Sequence, residues 1–329
     1  MTKTLKIVPR HQIDSIAWDA CVAASPQRML YGYSWYLDAV LPAPTWKWVG
    51  IISIDESGRY RAIMPVPLRR KVIAGITYEW VVHQPFFCQF LDVFSPDGSV
   101  DSSPFFQLTI EQFRYGSVFC TRSQSNKLSD IGPTEQLTTH ILDLSADYKT
   151  IYQNYSHDRK LNLRRARHEF NAVANWTIVE SGDPEPLLTL FRQHHAETID
   201  GGVADWAYAI FRKLTNELSK RGLVTLRYAQ HDGQLEAGAL FVCEGNRIIY
   251  LFNAASEIGR KANARTLLID QLIQEKAGQS FVFDFESPAK PSIQAFYQSF
   301  GATEEPFGMM RWNRLTFIER VLLKLKNRF

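Results

Sequence analysis

Between Leu223 and Ala302 the chain alternates in an order that few folds accommodate: three β-rich runs, a helix, a short apolar run and a second helix. LVTLRYAQ (Leu223–Gln230) and GALFVCEG (Gly238–Gly245) are joined across His231-Asp232-Gly233-Gln234, a turn-forming sequence. RIIYLFNAA (Arg247–Ala255) reads as a third strand. TLLIDQLIQEKAG (Thr266–Gly278) pairs Leu268 with Leu272 and Ile269 with Ile273 at helical spacing, and Gly278 stops it. FVFDFE (Phe281–Glu286) is short and apolar enough for a buried strand. PSIQAFYQSFGA is a helix begun by Pro291 and closed by Gly301.

The first half has its own alternation. Thr45–Asp55 and Arg59–Val72 predict a hairpin turning at Glu56-Ser57-Gly58, and Thr77–His83 and Cys88–Ser95 predict further strands. Pro104–Gly116 predicts a helix with Phe106, Ile110 and Phe113 on one face. SVFCTRS and THILDL close this half as strands. From Ala146 the pattern turns helical, then strand Val173–Ser181 and two more helices lead into the region described above. With 329 residues there is room for two domains of ordinary size, each with a helix-rich start, a meander of strands and a late helix. The expected division is 1–140, 141–314 and a basic amphipathic tail, 315–329.

This order resembles the core of the GNAT acyltransferase fold, and the ending FDFE…FYQSFGA resembles its FemAB-like branch, which transfers amino acids or acyl groups onto amines. The resemblance implies an α/β (α+β) fold class: two GNAT-like domains in tandem, each a mixed, mostly antiparallel sheet flanked by helices. It also implies an acyltransferase whose donor is aminoacyl-tRNA or acyl-CoA, with no tightly bound cofactor and no metal. The acceptor is an amine of a cell-envelope or peptidoglycan-related molecule, including lipid-linked ones. A coenzyme A-dependent N-acyltransferase on a small amine or sugar, and an inactive GNAT-like scaffold at the membrane surface, stay open as alternatives.

In the GNAT pattern the strands on either side of the main helix splay apart, and donor and acceptor meet in the gap. Here those strands are Arg247–Ala255 and Phe281–Glu286. The helix between them begins near Asn263, an expected N-cap surrounded by Arg260, Lys261 and Arg265, where a helix's positive end attracts phosphate. The family's Q/R-x-x-G-x-G/A loop is Arg260-Lys261-Ala262-Asn263-Ala264 here, without the glycines. Asp284 and Glu286, two apart on a strand, are expected on one face, with Glu286 the better base for an attacking amine because it lies nearer the strand's carboxyl end. Tyr250 is the expected carbonyl polariser, and Asn253 and Ser287 the expected substrate contacts. Arg164 and Arg165 belong to a basic helix, Asp158–Phe170, that also carries Arg159, Lys160 and Arg167, and whose inward face is Leu163, Ala166 and Phe170. Such a face would steer tRNA or the diphosphate of a lipid-linked precursor.

Other patterns narrow the classes. A net charge of +3 does not argue for nucleic acid. The four cysteines are dispersed, with no metal or redox pairing pattern, which predicts reduced, buried thiols and a cytoplasmic protein. His194 and His195 are adjacent on a helix and point about a hundred degrees apart, a poor metal pair. No P-loop, GxSxG, Rossmann or HExxH pattern is present. The tail carries Phe317, Ile318, Val321, Leu322 and Leu325 against Arg320, Lys324, Lys326 and Arg328. That pattern fits either a peripheral contact with the inner membrane face or docking on the protein's own core.

Overall fold

The computed structural model describes residues 5–73, 76–98, 100–121, 134–172, 175–199, 202–286, 290–316 and 319. Ser287 and most of the expected tail lie outside them. The strands are β1 Leu5–Pro9, β2 Trp46–Ile54, β3 Tyr60–Ile73, β4 Ile76–Val82, β5 Tyr115–Thr121, β6 Thr134–Asp143, β7 Trp176–Glu180, β8 Val224–His231, β9 Gln234–Glu244, β10 Arg247–Ala255, β11 Val282–Asp284 and β12 Thr303–Asn313. The α-helices are α1 Ser15–Ala24, α2 Ser34–Val40, α3 Ser103–Gln112, α4 Tyr148–Gln153, α5 His157–Ala172, α6 Glu185–His194, α7 Asp205–Lys220, α8 Glu257–Lys261, α9 Ala264–Lys276 and α10 Pro291–Gln298. None of these is long and apolar enough to cross a membrane.

The chain divides into two compact units, Met1–Leu137 with Pro306–Phe329, and Thr138–Glu305. In the first, β1, β2, β3 and β4 form an antiparallel meander, β4 meets β5 in parallel at Val82–Gly116, and β12 pairs antiparallel with β5. In the second, β7, β8, β9 and β10 form the meander, β10 lies parallel to β11, and β6 pairs antiparallel with β11. Each unit thus has the same topology: an antiparallel meander, one parallel step, then an antiparallel strand. This is the tandem, mostly antiparallel α/β architecture expected from the sequence. Residues 307–313, placed in the second domain by the sequence reading, pair with β5 in the first unit.

Local chemistry explains most elements. Asp232 and Gly233 both take positive φ, 51° and 75°, so the β8–β9 turn has the left-handed pair that matches strand twist. On α7, Ala207, Phe211, Leu214 and Leu218 are buried at spacings of three and four. The expected strand Cys88–Ser95 is absent; only Phe94 bridges to Ile63. The reason is a polar residue inside it. Buried Asp92 bonds the Thr121 hydroxyl and the Val93 N–H, which turns the backbone out of ladder register.

In the second unit the core gathers Phe241, Tyr250, Phe283, Phe285, Tyr297 and Phe300 with the inner faces of α5 and α9. Leu163 and Ala166 are fully buried there and Phe170 packs against the same cluster, as the helical spacing predicts. A single carboxylate ties three helices together. Asp270 of α9, 1% exposed, accepts from Tyr148 Oη (2.8 Å), Tyr155 Oη (3.1 Å) and Arg167 Nη2 (2.8 Å). Arg167 therefore belongs to this network and not to a free basic face. Replacing Asp270 by Ala orphans two hydroxyls and a guanidinium, and the expected loss is about 2–3 kcal/mol in urea unfolding. A loss under roughly 0.5 kcal/mol, the scale of a surface change, would contradict that role.

Candidate functional site

β10 and β11 are hydrogen-bonded neighbours for three residues only, Arg247–Val282, Ile248–Phe283 and Ile249–Asp284. Beyond that step β10 continues to Ala255 while β11 ends, so the two strands are unpaired from Tyr250 and Phe285 onward, and this gap in the ladder is the candidate slot. Asp284 causes the ending. Its fully buried carboxylate accepts from Arg247 Nε (2.9 Å), from Thr139 Oγ1 (3.1 Å) and from the backbone N–H of Glu286 (2.9 Å). The Glu286 N–H is thereby unavailable to a ladder, and Glu286 itself turns into the left-handed region at φ 45°. Phe285 keeps one bond, its N–H to His140 O (3.0 Å). Glu305 also pairs with Arg247, completing a buried network around Asp284.

This corrects the expectation for the two carboxylates. They do not share a strand face, because Glu286 lies past the strand's end, where the alternation of a pleat no longer applies. Asp284 is saturated by its partners and holds backbone; it has no capacity left for substrate. Glu286 differs: burial pushes its carboxyl up to about 8. Its charge acts on Tyr297 of α10, whose hydroxyl is pushed up to about 12, chiefly by burial.

Tyr250 forms the opposite wall. It is 4% exposed, its ring stacks on Phe241 (5.3 Å) and meets Tyr297 edge-on (6.3 Å), and its hydroxyl has no hydrogen-bond partner. A β-bulge decides what else faces the slot. Tyr250 pairs with Phe241 and Phe252 with Leu240, so Leu251 is an extra residue. In a regular strand Tyr250 and Asn253 would face opposite sides; the bulge puts them on the same side. Phe252 goes to the other, against Phe191 (4.9 Å) and Phe211 (4.5 Å). Asn253 Oδ1 accepts from Arg265 Nη1 (2.8 Å), which brings that guanidinium close enough to influence both tyrosine hydroxyls.

The expected basic loop is more ordered than its sequence implies. Glu257–Lys261 forms the short helix α8, begun by the Ser256 hydroxyl accepting from Gly259 N (3.0 Å). Gly259 is required here, since a Cβ would lie 2.1 Å from Glu236 O. Lys261 pairs with exposed Glu257 (2.8 Å), and Arg260 Nη1 donates to Ala255 O (3.0 Å). Asn263 stands at the N-cap position of α9, but its side chain does not cap; its amide reaches Lys261 O (3.3 Å). Its backbone is left-handed, φ 56° and ψ 32°, the conformation a glycine adopts most readily and asparagine next.

Of the basic helix, Arg164 and Arg165 are exposed and are not brought to the slot's walls. The residue that turns inward is Arg159, 6% exposed, donating to Ser299 Oγ (2.8 Å) and Thr266 Oγ1 (2.6 Å) and lying over Phe296 (4.2 Å). Tyr297 and Arg159 were missed as site residues. The i,i+4 neighbours Ile293 and Tyr297 on the helix closing the slot were the available signal. His195 takes a structural place, its Nε2 accepting from Ala255 N–H (3.0 Å), and no metal-binding group forms among the described residues.

Comparison with known proteins places this geometry. Residues 157–290 match the family model described as an acetyltransferase (GNAT) domain. Over its length the chain shares its fold with solved structures of this kind. Among solved structures it is similar to FemX, at 12% identity and a TM-score of 0.62 over 92% of this chain and 96% of that one. It is also similar to a tandem GNAT protein from the clavulanic acid biosynthesis pathway (13%, TM-score 0.54, 94% and 98% covered) and to L-PGS from Bacillus licheniformis (13%, 0.51, 95% and 96%). No curated protein sequence matches the chain.

The raised carboxyl of Glu286 has a consequence for stability. Below the ordinary glutamate range both folded and unfolded chains hold this proton, and stability is unaffected. As pH rises the unfolded chain releases it first, so folding loses stability until the folded carboxyl ionises at about 8. Glu286→Gln has no proton to release. Unfolding midpoints measured from pH 5 to 9 should therefore fall in the wild type relative to the variant and run parallel above about pH 8; parallel curves throughout would contradict the burial of this group.

Proposed function

We propose that the slot is the reaction centre of an acyl- or aminoacyltransferase that moves an activated acyl group onto an amine, with an amine of a cell-envelope or peptidoglycan-related molecule as acceptor. The observation that carries this reading is the opening of β10 from β11 at the point where Glu286 and the unpartnered Tyr250 hydroxyl stand. Attack of an amine on an ester or thioester needs the reactants held together, a proton removed from nitrogen and the carbonyl oxygen stabilised as charge develops. Glu286, once ionised, takes the proton as the C–N bond forms. The adduct then collapses to the amide by breaking the donor's C–S or C–O bond, the leaving thiolate or alkoxide being reprotonated from the Glu286 carboxyl. The Tyr250 hydroxyl donates to the carbonyl oxygen as it becomes tetrahedral, and Tyr297 borders both.

An acyl-CoA thioester is the donor we favour. Asn263 stands at the first glycine position of the family's loop with a left-handed backbone that glycine adopts most readily, and no side chain caps the first turn of α9. Aminoacyl-tRNA, the donor expected from the FemAB-like resemblance, serves the same chemistry. Its expected contacts, Arg164 and Arg165, are exposed on α5 and remain available for it. Peripheral membrane contact through 315–329 fits a lipid-linked acceptor and stays part of the proposal.

Purified protein supplied with labelled acyl-CoA or aminoacyl-tRNA, and with amine acceptors, should form amide product saturably. Its kcat/KM should rise with pH up to about 8 as Glu286 ionises. Glu286→Gln should lower kcat by about 100-fold or more and remove that pH limb, and Tyr250→Phe should lower kcat by about tenfold to 100-fold with KM little changed. Full turnover by folded Glu286→Gln would contradict the assignment.

A further inference from the structure

The buried and half-buried arginines of the second unit that reach inward divide into two kinds. Arg247 is held by Asp284 and Glu305, Arg227 by Glu180 and Glu275, and Arg167 by Asp270. Each has a carboxylate that compensates its removal from water. Arg159 and Arg265 have none. Arg159 donates only to the neutral hydroxyls of Ser299 and Thr266, and burial lowers its affinity for its proton to a pKa of about 10. Arg265 bonds the neutral amide of Asn253. Both lie over the same ring, Phe296, at 4.2 Å and 5.8 Å. A buried and a half-buried cation thus lie over one ring with no carboxylate bonded to either among the described residues, an arrangement that a bound anion relieves.

We propose that the β10–β11 slot receives a substrate bearing a carboxylate, seated on the Arg265 guanidinium with Arg159 behind as a second positive charge, while the Tyr250 hydroxyl stays with the reacting carbonyl. The inference rests on the slot's being a transferase site, and it names the substrate class. Tyr250 supplies the second observation: a phenol buried to 4% exposure whose donor is unused among the described residues marks where the same substrate's carbonyl lies, on the face that the bulge shares with Asn253 and Arg265. A guanidinium binds a planar carboxylate through two parallel hydrogen bonds, and Asn253 leaves enough of Arg265's donors for that. A doubly charged phosphate fits less well, because Glu286 borders the same space and its ionised form repels a dianion. The aromatic walls Phe283, Phe285 and Tyr297 offer a phosphate no further donors beyond one hydroxyl. The carboxylate belongs either to the amine, making the acceptor an amino acid or a peptide end, or to the acyl group.

Binding can be measured without turnover, so failure here is separable from failure of the transferase reading. The probes are alanine against alaninamide for a carboxylate on the amine, succinamate against succinamide for one on the acyl group, and inorganic phosphate. They are titrated into the full chain while its arginine side-chain N–H resonances are followed by NMR. The Arg265 signal should shift saturably with one of the acids, and that acid should bind about tenfold or more tighter than its amide, the scale of one charge-assisted hydrogen bond. Whichever pair discriminates identifies the bearer of the carboxylate. Arg265→Met should erase the preference, and Arg265→Lys should restore part of it, with thermal melting used to verify that both variants fold. Equal binding of acid and amide in both pairs, tighter binding of phosphate than of either acid, or a preference surviving in folded Arg265→Met would each overturn the proposal.

Discussion

The second unit depends on how one carboxylate spends its lone pairs. Asp284 sits at the last residue of β11, out of water, and takes hydrogen bonds from a guanidinium, a hydroxyl and the N–H two residues ahead. The third bond ends the strand. A backbone N–H that would have continued the ladder toward β10 is diverted to the side chain just behind it, and the chain turns away at Glu286. Breaking such a network leaves Arg247 poorly compensated in the core, at a cost of about 3 kcal/mol or more. The slot is therefore built into the hydrogen bonding of the fold.

Two further local features decide which groups face that opening. The bulge at Leu251 rotates the remainder of β10 by one position, so that a tyrosine and an asparagine three apart look the same way. Glu286 is half-buried at the turn, and the withdrawal of its carboxyl from water pushes it up to about 8. A phenol without a partner, a carboxyl poised near neutrality and a guanidinium without an anion then share one space. Reactive sites tolerate this kind of incomplete satisfaction, whereas structural cores do not.

Much of this was legible in the sequence because the relevant patterns are periodic and local. The strand–helix order from Leu223 to Ala302, the Asp232-Gly233 turn and the apolar stripe of α7 follow from propensity and spacing, and they lead to the right fold. The errors fall where a side chain competes with the backbone. Asp92 broke an expected strand, Asp284 shortened another, and Asn263 took the N-cap place without capping. Arg159 belongs by sequence to the basic helix expected to steer tRNA or a diphosphate; the fold places it inward, where only tertiary contacts with Ser299 and Phe296 reveal its burial. The bulge at Leu251 leaves no mark in composition, because an extra residue in a strand changes facing without changing residue type.

The central claim is that Asp284 forces the turn that buries Glu286 at the mouth of the slot. Its most direct test is a carbon-13 NMR titration of the glutamate side-chain carboxyls in the wild type and in Asp284→Ala. One carboxyl, that of Glu286, should titrate at about 8 in the wild type and fall toward the ordinary glutamate range in the variant as the turn relaxes. A Glu286 carboxyl that titrates with the surface glutamates in the wild type, or one whose elevated value survives loss of the Asp284 carboxylate, would contradict it.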